Sequence, residues 1–212
     1  MTTTITIESH VLKAHLITAS KKDTRFYLCG VLVDTTNRRL VSTDGHVLLV
    51  TRFFSDIEGE IVPDFIIGRD QIVNGLKTVA KRLPVTITID QDAVTVGAVT
   101  GTVIDARFPD ISRVIPTSIS GETAHFDSEL VNRVSDALIL VADSSSKNKP
   151  TLFQNGTSPA IMTHGGDAFG VVMPMRSDAI ASDALILVDS IMGRKITPVS
   201  YTHLTLPTIY SV

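Results

Sequence analysis

Ser42, Asp44 and His46 lie within five residues of one another, and they are the residue types of a hydrolase nucleophile, acid and base. They surround an Asp44-Gly45 pair between two apolar runs, which is the strongest short-range signal for a β-hairpin. A catalytic triad requires side chains that converge, and nearness in sequence does not establish this. The cluster therefore favours a turn, while an unrelated α+β enzyme stays open as another class of function.

Other patterns with catalytic or metal-binding chemistry are weak. His10 and His15 are five residues apart in a predicted helix, whereas two metal ligands on one helix face need a spacing of three or four. No GxxxxGK[ST] segment occurs, and no GxGxxG follows a strand. Cys29 is the only cysteine, which excludes a disulfide framework and a multi-cysteine zinc site. The sequence predicts no enzyme activity, no metal and no cofactor.

The segment from Met173 to Arg176 reads Met-Pro-Met-Arg and is a poor strand interior, because proline cannot donate to a strand ladder. Methionine side chains are flexible and apolar, and they suit surfaces that adapt to different partners. The residue types of this segment therefore argue against a plain role as a strand interior.

The composition indicates an ordinary globular protein of one or two domains, with 212 residues, 43% of them hydrophobic and 19% charged. A net charge of −3 argues against nucleic-acid binding by the whole surface but permits a local basic face. Aromatic residues are 5%, without tryptophan, which disfavours a single-strand binder that stacks bases. Neither a membrane-spanning apolar run nor a signal peptide is visible, so the sequence predicts a cytoplasmic protein.

The chain repeats a β-α-β-β-β pattern with a period of about 60 residues. The first copy has its strands at 3–7, 25–34, 39–43 and 46–54 and its helix at 9–20. The second has strands at 61–68, 85–90, 93–97 and 102–107 and a helix at 69–82. A weaker third copy has strands at 124–126, 151–154, 160–163 and 168–173 and a helix at 127–141. The predicted fold class is α+β, with helices on one face of antiparallel sheets.

These copies suggest a domain organisation. Residues 1–117 form one predicted domain from two copies, and residues 118–177 form a partial domain from the third, alone or awaiting a partner unit. Residues 178–198 are an unassigned extension that repeats the letters SDALILV. Residues 199–212 resemble a translated sequencing adapter, so the natural end of the chain is left open.

Four segments resemble those of one family in its own order. LVSTDGHVLLV at 40–50 resembles the ATDGHRLAV hairpin of the bacterial and phage DNA polymerase III beta subunit, the sliding clamp. RFYLCGVLVD at 25–34, DARFPDISRVIP at 105–116 and AFGVVMPMR at 168–176 resemble three further segments. Residues 3–117 correspond to the family's middle domain and the third copy to half of its last domain. Val47 stands where the family usually has arginine.

The resemblance implies a DNA-clamp fold and a processivity factor in DNA replication, which encircles duplex DNA without reading its sequence and tethers a polymerase. A cleft would grip peptides of polymerases and clamp loaders. Its expected residues are Leu28, Thr43, Gly45, His46, Leu48, Pro109, Arg113, Val114, Val172, Met173, Pro174, Met175 and Arg176. The alternative is a regulator or decoy that keeps the cleft but forms no ring.

Basic side chains would face the DNA from the helices of such a ring. The expected set is Lys13, Arg25, Arg69, Lys77, Lys81 and Arg82. The third helix fits less well, because Glu129 and Asp136 accompany Arg133. Family rings contain twelve repeat units, so three units per chain would require four chains, joined by head-to-tail contacts that close. A fourth unit, lost beyond the adapter junction, would require three.

Overall fold

The computed structural model describes residues 2–59, 62–80, 83–142 and 149–175, and residues 188, 191 and 192. Residues 1–176 form one compact unit and residues 177–212 form another. Apart from those last three residues, the predicted extension at 178–198 lies outside the described residues. The adapter-like segment at 199–212 lies entirely outside them.

The predicted repeat is present as three successive groups of elements. The first comprises β1 (Thr3–Glu8), α1 (Ser9–Thr18), a 3₁₀ helix (Phe26–Cys29), β2 (Gly30–Asp34), β3 (Arg39–Thr43), β4 (Val47–Arg52) and the short β5 (Ile57–Glu58). The second comprises β6 (Phe65–Gly68), α2 (Arg69–Lys77), β7 (Pro84–Asp90), β8 (Ala93–Val96) and β9 (Val99–Thr102), followed by a 3₁₀ helix at Ile111–Arg113. The third comprises α3 (Ser128–Val141), β10 (Thr151–Phe153), β11 (Ala160–Thr163) and β12 (Ala168–Val172).

Helix α2 is shorter than its apolar periodicity predicted, because it ends at Lys77 and not at residue 82. The hydroxyl of Thr78 donates to the carbonyl of Gly75 at 2.7 Å and accepts from the amide of Ala98 at 3.1 Å. The first bond occupies the Gly75 carbonyl, which a further helical turn would have used, and the second ties Thr78 to a distant turn. A second prediction was also wrong: residues 124–126 form no strand.

The strands form two antiparallel sheets, with the orders β5-β1-β7-β8-β9 and β10-β11-β12-β4-β3-β2-β6. The first two repeats exchange their leading strands, since β1 pairs with β7 and β6 pairs with β2. The predicted class, a mixed fold of antiparallel sheets with few helices, is confirmed.

The third repeat continues the sheet of the first repeat. Strand β12 pairs with β4 over five residues, from Ala168 opposite Thr51 to Val172 opposite Val47. Helix α3 packs beside α1, where Ala137 and Leu138 share a buried cluster with Ala14. All three repeats therefore belong to the one compact unit, and the predicted domain boundary at residue 117 falls between β9 and α3.

Strand β4 is buried on both faces, and its alternation assigns its side chains to two different layers. Leu49 faces α1 and α3, in the cluster that also holds Val134 and Val172. Leu48 and Val50 face the other way and pack with Ile111 of the linker, the segment 103–127 between β9 and α3. The helices thus cover one face of the long sheet, and the linker covers part of the other.

A fully buried histidine joins α1 to the long sheet through a polar network. His15 is bonded through Nδ1 to the hydroxyl of Ser42 at 2.7 Å and through Nε2 to that of Thr51 at 2.9 Å. The hydroxyl of Thr18 lies 2.6 Å from that of Ser42. Both ring nitrogens have partners, as buried polar groups require. The network fixes the position of α1 above β3 and β4.

We expect the stability of the fold to fall on mild acidification because of His15. Burial lowers the pKa of His15 from 6.5 to about 3. The unfolded chain binds a proton near pH 6.5 that the folded chain excludes, so stability is complete above pH 6.5 and decreases as the pH falls towards 3. The expected loss between pH 7 and pH 5 is about 2 kcal/mol, measured by urea unfolding. A His15→Gln variant should show a flatter profile, and equal slopes for the two proteins would contradict the assignment.

Candidate peptide-binding cleft

An apolar cleft of about 170 Å³ opens on the face of the long sheet that the linker partly covers. Four separate segments build it: the first 3₁₀ helix, the β3–β4 hairpin, the linker and the end of β12. Its lining residues are Arg25, Tyr27, Leu28, Thr43, Gly45, His46, Val47, Leu48, Pro109, Asp110, Ile111, Val114, Val171 and Met173. The first and third repeats therefore meet at this cleft.

The hairpin at the cleft is held by its own side chains. The carboxylate of Asp44 accepts from the amides of His46 and Val47 at 2.9 and 3.0 Å. The hydroxyl of Thr43 accepts from the amide of Gly45 and donates to the carbonyl of Val47. Gly45 has a φ of +96°, in the left-handed region that favours glycine. This turn presents Gly45 and His46 to the cleft.

Asp44 also connects the hairpin to α3. Nη1 of Arg133 donates to the second carboxylate oxygen of Asp44 at 2.7 Å, and Nη2 donates to the carbonyl of Ile17 at 3.1 Å. Burial alone would raise the pKa of Asp44, but the amides of His46 and Val47 and the guanidinium of Arg133 outweigh it and hold this pKa below its usual range. Asp44 is therefore an anion that ties the third repeat to the cleft.

The linker forms the wall of the cleft opposite the hairpin. The carboxylate of Asp110 accepts from the amide and hydroxyl of Ser112 at 3.1 and 2.7 Å, which starts the short 3₁₀ helix. Ile111 is buried against the sheet, in one cluster with Leu48 and Val171. This anchoring positions Val114 beside the cleft.

The structure brings most of the expected cleft residues together. Those that line it are Leu28, Thr43, Gly45, His46, Leu48, Pro109, Val114 and Met173. Pro174 and Met175 follow Met173 but do not line it, and Met175 is exposed. The side chain of Arg113 is also exposed and lies 3.6 Å from Asp110 in an ion pair. Arg176 lies outside the described residues.

Val172 is on the opposite face of β12 from the cleft. It is fully buried against α3, in the cluster that contains Val134, while its neighbour Val171 lines the cleft. Successive strand residues point to opposite faces, so only one of the two valines can face the cleft. Tyr27, Val47, Asp110 and Ile111 also line the cleft, although no sequence pattern pointed to them, and alternation along β12 was the only available signal for Val171.

Two of the expected DNA-binding arginines have partners within the protein. Arg25 lines the cleft and bonds the carboxylate of Asp23 at 2.9 and 3.1 Å, and this side-chain contact lowers the pKa of Asp23 to about 2. Arg69 is partly buried, and it donates to the carbonyls of Leu16 and Ala19 at the end of α1. Burial lowers the pKa of Arg69. Both side chains therefore contribute to the local structure.

The expected lysines are more accessible. Lys13 on α1 is partly exposed, and Lys77 on α2 is exposed and donates to Asn74 at 3.0 Å. Lys81 and Arg82 lie outside the described residues. A larger cleft of about 680 Å³ beside the end of α1 has Lys21, Lys22, Arg69 and Arg133 in its lining, together with Asp44 and Glu129. Basic groups are therefore concentrated near the ends of α1 and α2.

The three residues with hydrolase chemistry do not converge. Ser42 is buried beneath α1 and bonds His15, Asp44 bonds Arg133, and His46 is exposed at the cleft.

No three His, Cys, Asp or Glu side chains are arranged to hold a metal ion in the described part of the chain. Among the same residues, no helix has the length and apolar character needed to cross a membrane.

Comparison with known proteins gives one consistent family. No family model matches the sequence. The beta sliding clamp of Caulobacter vibrioides is 28% identical over an alignment of 141 residues that covers 61% of this chain and 37% of that protein. The beta sliding clamp of Pseudomonas putida is 33% identical over 108 residues, 46% of this chain and 28% of that protein. The chain thus spans about a third of the length of these relatives.

Solved structures share the fold over most of the chain. A DNA polymerase sliding clamp from Pseudomonas aeruginosa has a TM-score of 0.62 at 18% identity, covering 82% of this chain and 66% of that one. The beta clamp of Helicobacter pylori bound to a DNA ligase peptide has a TM-score of 0.66 at 13% identity, covering 82% and 65%. The sequence matches make this chain similar to the bacterial DNA polymerase III beta subunit, the beta sliding clamp, and the solved clamps share its fold.

Proposed function

We propose that this chain is a DNA sliding clamp that encircles duplex DNA and tethers a replicative polymerase or a clamp loader through the cleft. The observation that carries the proposal is the cleft itself, which the first 3₁₀ helix, the hairpin, the linker and β12 build from four separate segments of the sequence. The proposed role is non-enzymatic and cytoplasmic, and its DNA contacts are to phosphates and independent of sequence.

A short peptide with apolar side chains fits this cleft. Leu28, Leu48 and Val171 supply an apolar base, while His46 and Arg25 supply polar groups at its edge. The volume is below the range of sites that enclose a whole small ligand, so it suits the anchoring side chains of a longer peptide. Among the structural neighbours, the Helicobacter pylori clamp binds a DNA ligase peptide and a Bartonella birtlesii clamp binds griselimycin.

The direct test is fluorescence anisotropy with the labelled ligase peptide that the Helicobacter pylori clamp binds. We expect saturable binding that griselimycin competes away. Met173→Ala should weaken the affinity about tenfold, because it removes about 1.4 kcal/mol of apolar contact from the cleft wall. Leu83→Ala is the matched control, since Leu83 is exposed and does not line the cleft. Failure of the unaltered chain to bind, or equal losses in the two variants, would overturn the assignment of the cleft.

A second experiment separates the clamp from its alternative, a clamp-like regulator that binds peptides without forming a ring. The engagement of Arg25, Arg69 and Arg133 within the protein favours the regulator, because it leaves fewer free cations for DNA. A ring would elute as a discrete trimer or tetramer and stay on nicked circular DNA until the circle is cut. A monomer that binds the peptide but is not retained on circular DNA would establish the regulator.

A further inference from the structure

A second cavity borders the same hairpin as the peptide-binding cleft. It is the cleft of about 680 Å³ beside the end of α1, and Asp44 lies in its lining. The next residue, Gly45, lines the peptide-binding cleft. Two adjacent residues of one turn therefore border two different cavities, and the turn is the partition between them. The second cavity is called the basic groove below.

The segment between α1 and the first 3₁₀ helix forms the rest of the partition. Ser20 lines the basic groove, and its amide donates to the carbonyl of Leu28, a cleft residue, at 2.9 Å. Further along this segment Arg25 lines the cleft, and its Nη2 lies 3.5 Å from the carbonyl oxygen of Asp44. The walls of the two cavities are thus joined at both ends of the segment, so a peptide that leaves the cleft over the turn enters the basic groove.

The two arginines of the basic groove are fixed at the end of α1 but are neutralised unequally. Arg133 is paired with Asp44 at 2.7 Å. The guanidinium of Arg69 donates to two neutral groups, the carbonyls of Leu16 and Ala19. Burial lowers the pKa of Arg69, and the charge of Arg133 acts in the same direction. The structure therefore holds two like charges near each other, and the carboxylate in the groove is bonded to Arg133.

Two lysines add further positive charge to the lining. Lys21 and Lys22 are exposed, and neither takes part in an ion pair within the described ranges. Glu129 supplies the second carboxylate of the lining. Once the pair of Arg133 with Asp44 is set aside, three cations stand against one carboxylate, and the basic groove has a surplus of two positive charges.

The remaining lining favours a polypeptide over a nucleic acid. Leu16, Ile17 and Ala19 contribute aliphatic surface beside the cations. A phosphate backbone is bound mainly by cations and by polar or main-chain donors, and it gains nothing from aliphatic side chains. The carboxylates of Asp44 and Glu129 also repel a phosphodiester. A peptide has side chains of both kinds, so it suits a lining that is part aliphatic and part cationic.

We propose that the basic groove binds acidic side chains that lie on one side of the apolar anchors in the same peptide. The inference rests on the proposed function of the cleft, and it specifies the partner as a segment with apolar anchors, a short spacer and a cluster of Asp or Glu residues. An extended chain advances about 3.3 Å per residue, so three or four residues pass over a pair of strands that lie about 4.8 Å apart.

The expected gain in affinity is moderate and depends on salt. Individual ion pairs at exposed lysines are weak, but several together should raise the affinity about tenfold at low ionic strength. Salt screens exposed charges, so most of this gain should be lost at high ionic strength. The apolar anchors should be much less sensitive to salt.

Extended versions of the labelled ligase peptide test the inference by fluorescence anisotropy. A cluster of glutamates is added behind a Gly-Ser spacer at one end or at the other, and glutamines replace the glutamates in the matched peptides. We expect one of the two glutamate extensions to bind about tenfold more tightly than its glutamine counterpart at low ionic strength. A lysine extension at that same end should bind more weakly than the glutamine one.

Charge reversal locates the contact. The double variant Lys21→Glu with Lys22→Glu should lose the gain from the glutamate extension and should favour the lysine extension, while its affinity for the unextended peptide stays unchanged. The matched control is Lys13→Glu with Lys77→Glu. It changes the net charge equally, but neither residue lines the basic groove or the cleft, so the gain should persist.

The outcomes separate this inference from the function on which it rests. If the unextended peptide does not bind, the proposed function of the cleft fails and this inference fails with it. If the unextended peptide binds but the glutamate and glutamine extensions bind equally, the cleft stands and the inference is overturned. Equal losses of the gain in the two double variants would overturn it too. A lower affinity for duplex DNA in Lys21→Glu with Lys22→Glu, without any gain from the glutamates, would assign the basic groove to nucleic acid instead.

Discussion

Replacing Gly170 with alanine is expected to lower the free energy of unfolding by about 3 kcal/mol, at the upper end of overpacking effects. Gly170 is buried in β12, at the junction between the first and third repeats. A methyl group there would overlap the Cγ1 methyl of Val134 on α3 and would lie 3.3 Å from the carbonyl of Leu48. Backbone on one side and a close-packed helix on the other leave little room for adjustment.

The cause can be isolated by a double-mutant cycle with Val134→Ala. That substitution alone should destabilise the protein, because Val134 is fully buried, but it also removes the methyl group that Gly170→Ala strikes. The double variant should therefore be more stable than the sum of the single losses predicts, by at least about 1 kcal/mol. Gly166→Ala is the control, since it meets no atom within 4 Å and should have almost no effect. Additive losses, measured by urea unfolding, would show that α3 does not pack on Gly170.

The local elements were predictable because they depend on local patterns. The short run Arg39–Thr43 with its apolar Leu40 and Val41, and the Asp44-Gly45 turn, specify a strand and a hairpin within a few residues. The exchange of β1 and β6 between repeats was not predictable, since strand pairing depends on contacts far apart in sequence. The end of α2 was missed for a similar reason, because Thr78 is held by Ala98 from a distant turn.

The candidate cleft was predictable in outline through family resemblance and inaccurate in detail. Resemblance selects a segment such as residues 171–176, but only the strand register decides that Val171 faces the cleft and Val172 the core. Charge on its own was a weaker guide. Arg25 and Arg69 were expected to meet DNA, yet Asp23 and the carbonyls at the end of α1 engage them. The partners of Arg69 lie about 50 residues away in the sequence and become visible only once the fold is known.

Asp44→Ala is expected to lower the free energy of unfolding by about 3 kcal/mol, because it removes a buried anion with three partners. The amides of His46 and Val47 would lose their acceptor, and Arg133 would lose its carboxylate. The side chains of Arg133 and Asp44 are only 26% and 14% exposed, so water replaces these bonds poorly. The same change should weaken peptide binding, since the turn holds Gly45 and His46 at the cleft.

Two further variants separate the two roles of Asp44. Asp44→Asn keeps an oxygen for the hairpin amides but loses the charge that faces Arg133, so we expect about half the loss of stability and nearly unchanged peptide affinity. Arg133→Met should lose a similar amount of stability and should also leave the peptide affinity nearly unchanged.

The pKa of Asp44 is lowered in the fold. The stability that Asp44 provides is therefore complete above its unfolded pKa of about 3.9 and is lost as the pH falls through the lower folded value. Asp44→Asn should therefore flatten the acid limb of the unfolding profile. Asp44→Asn could instead lower the affinity for the peptide as much as Asp44→Ala does. That result would show that the ion pair to α3 shapes the cleft and that the turn does not.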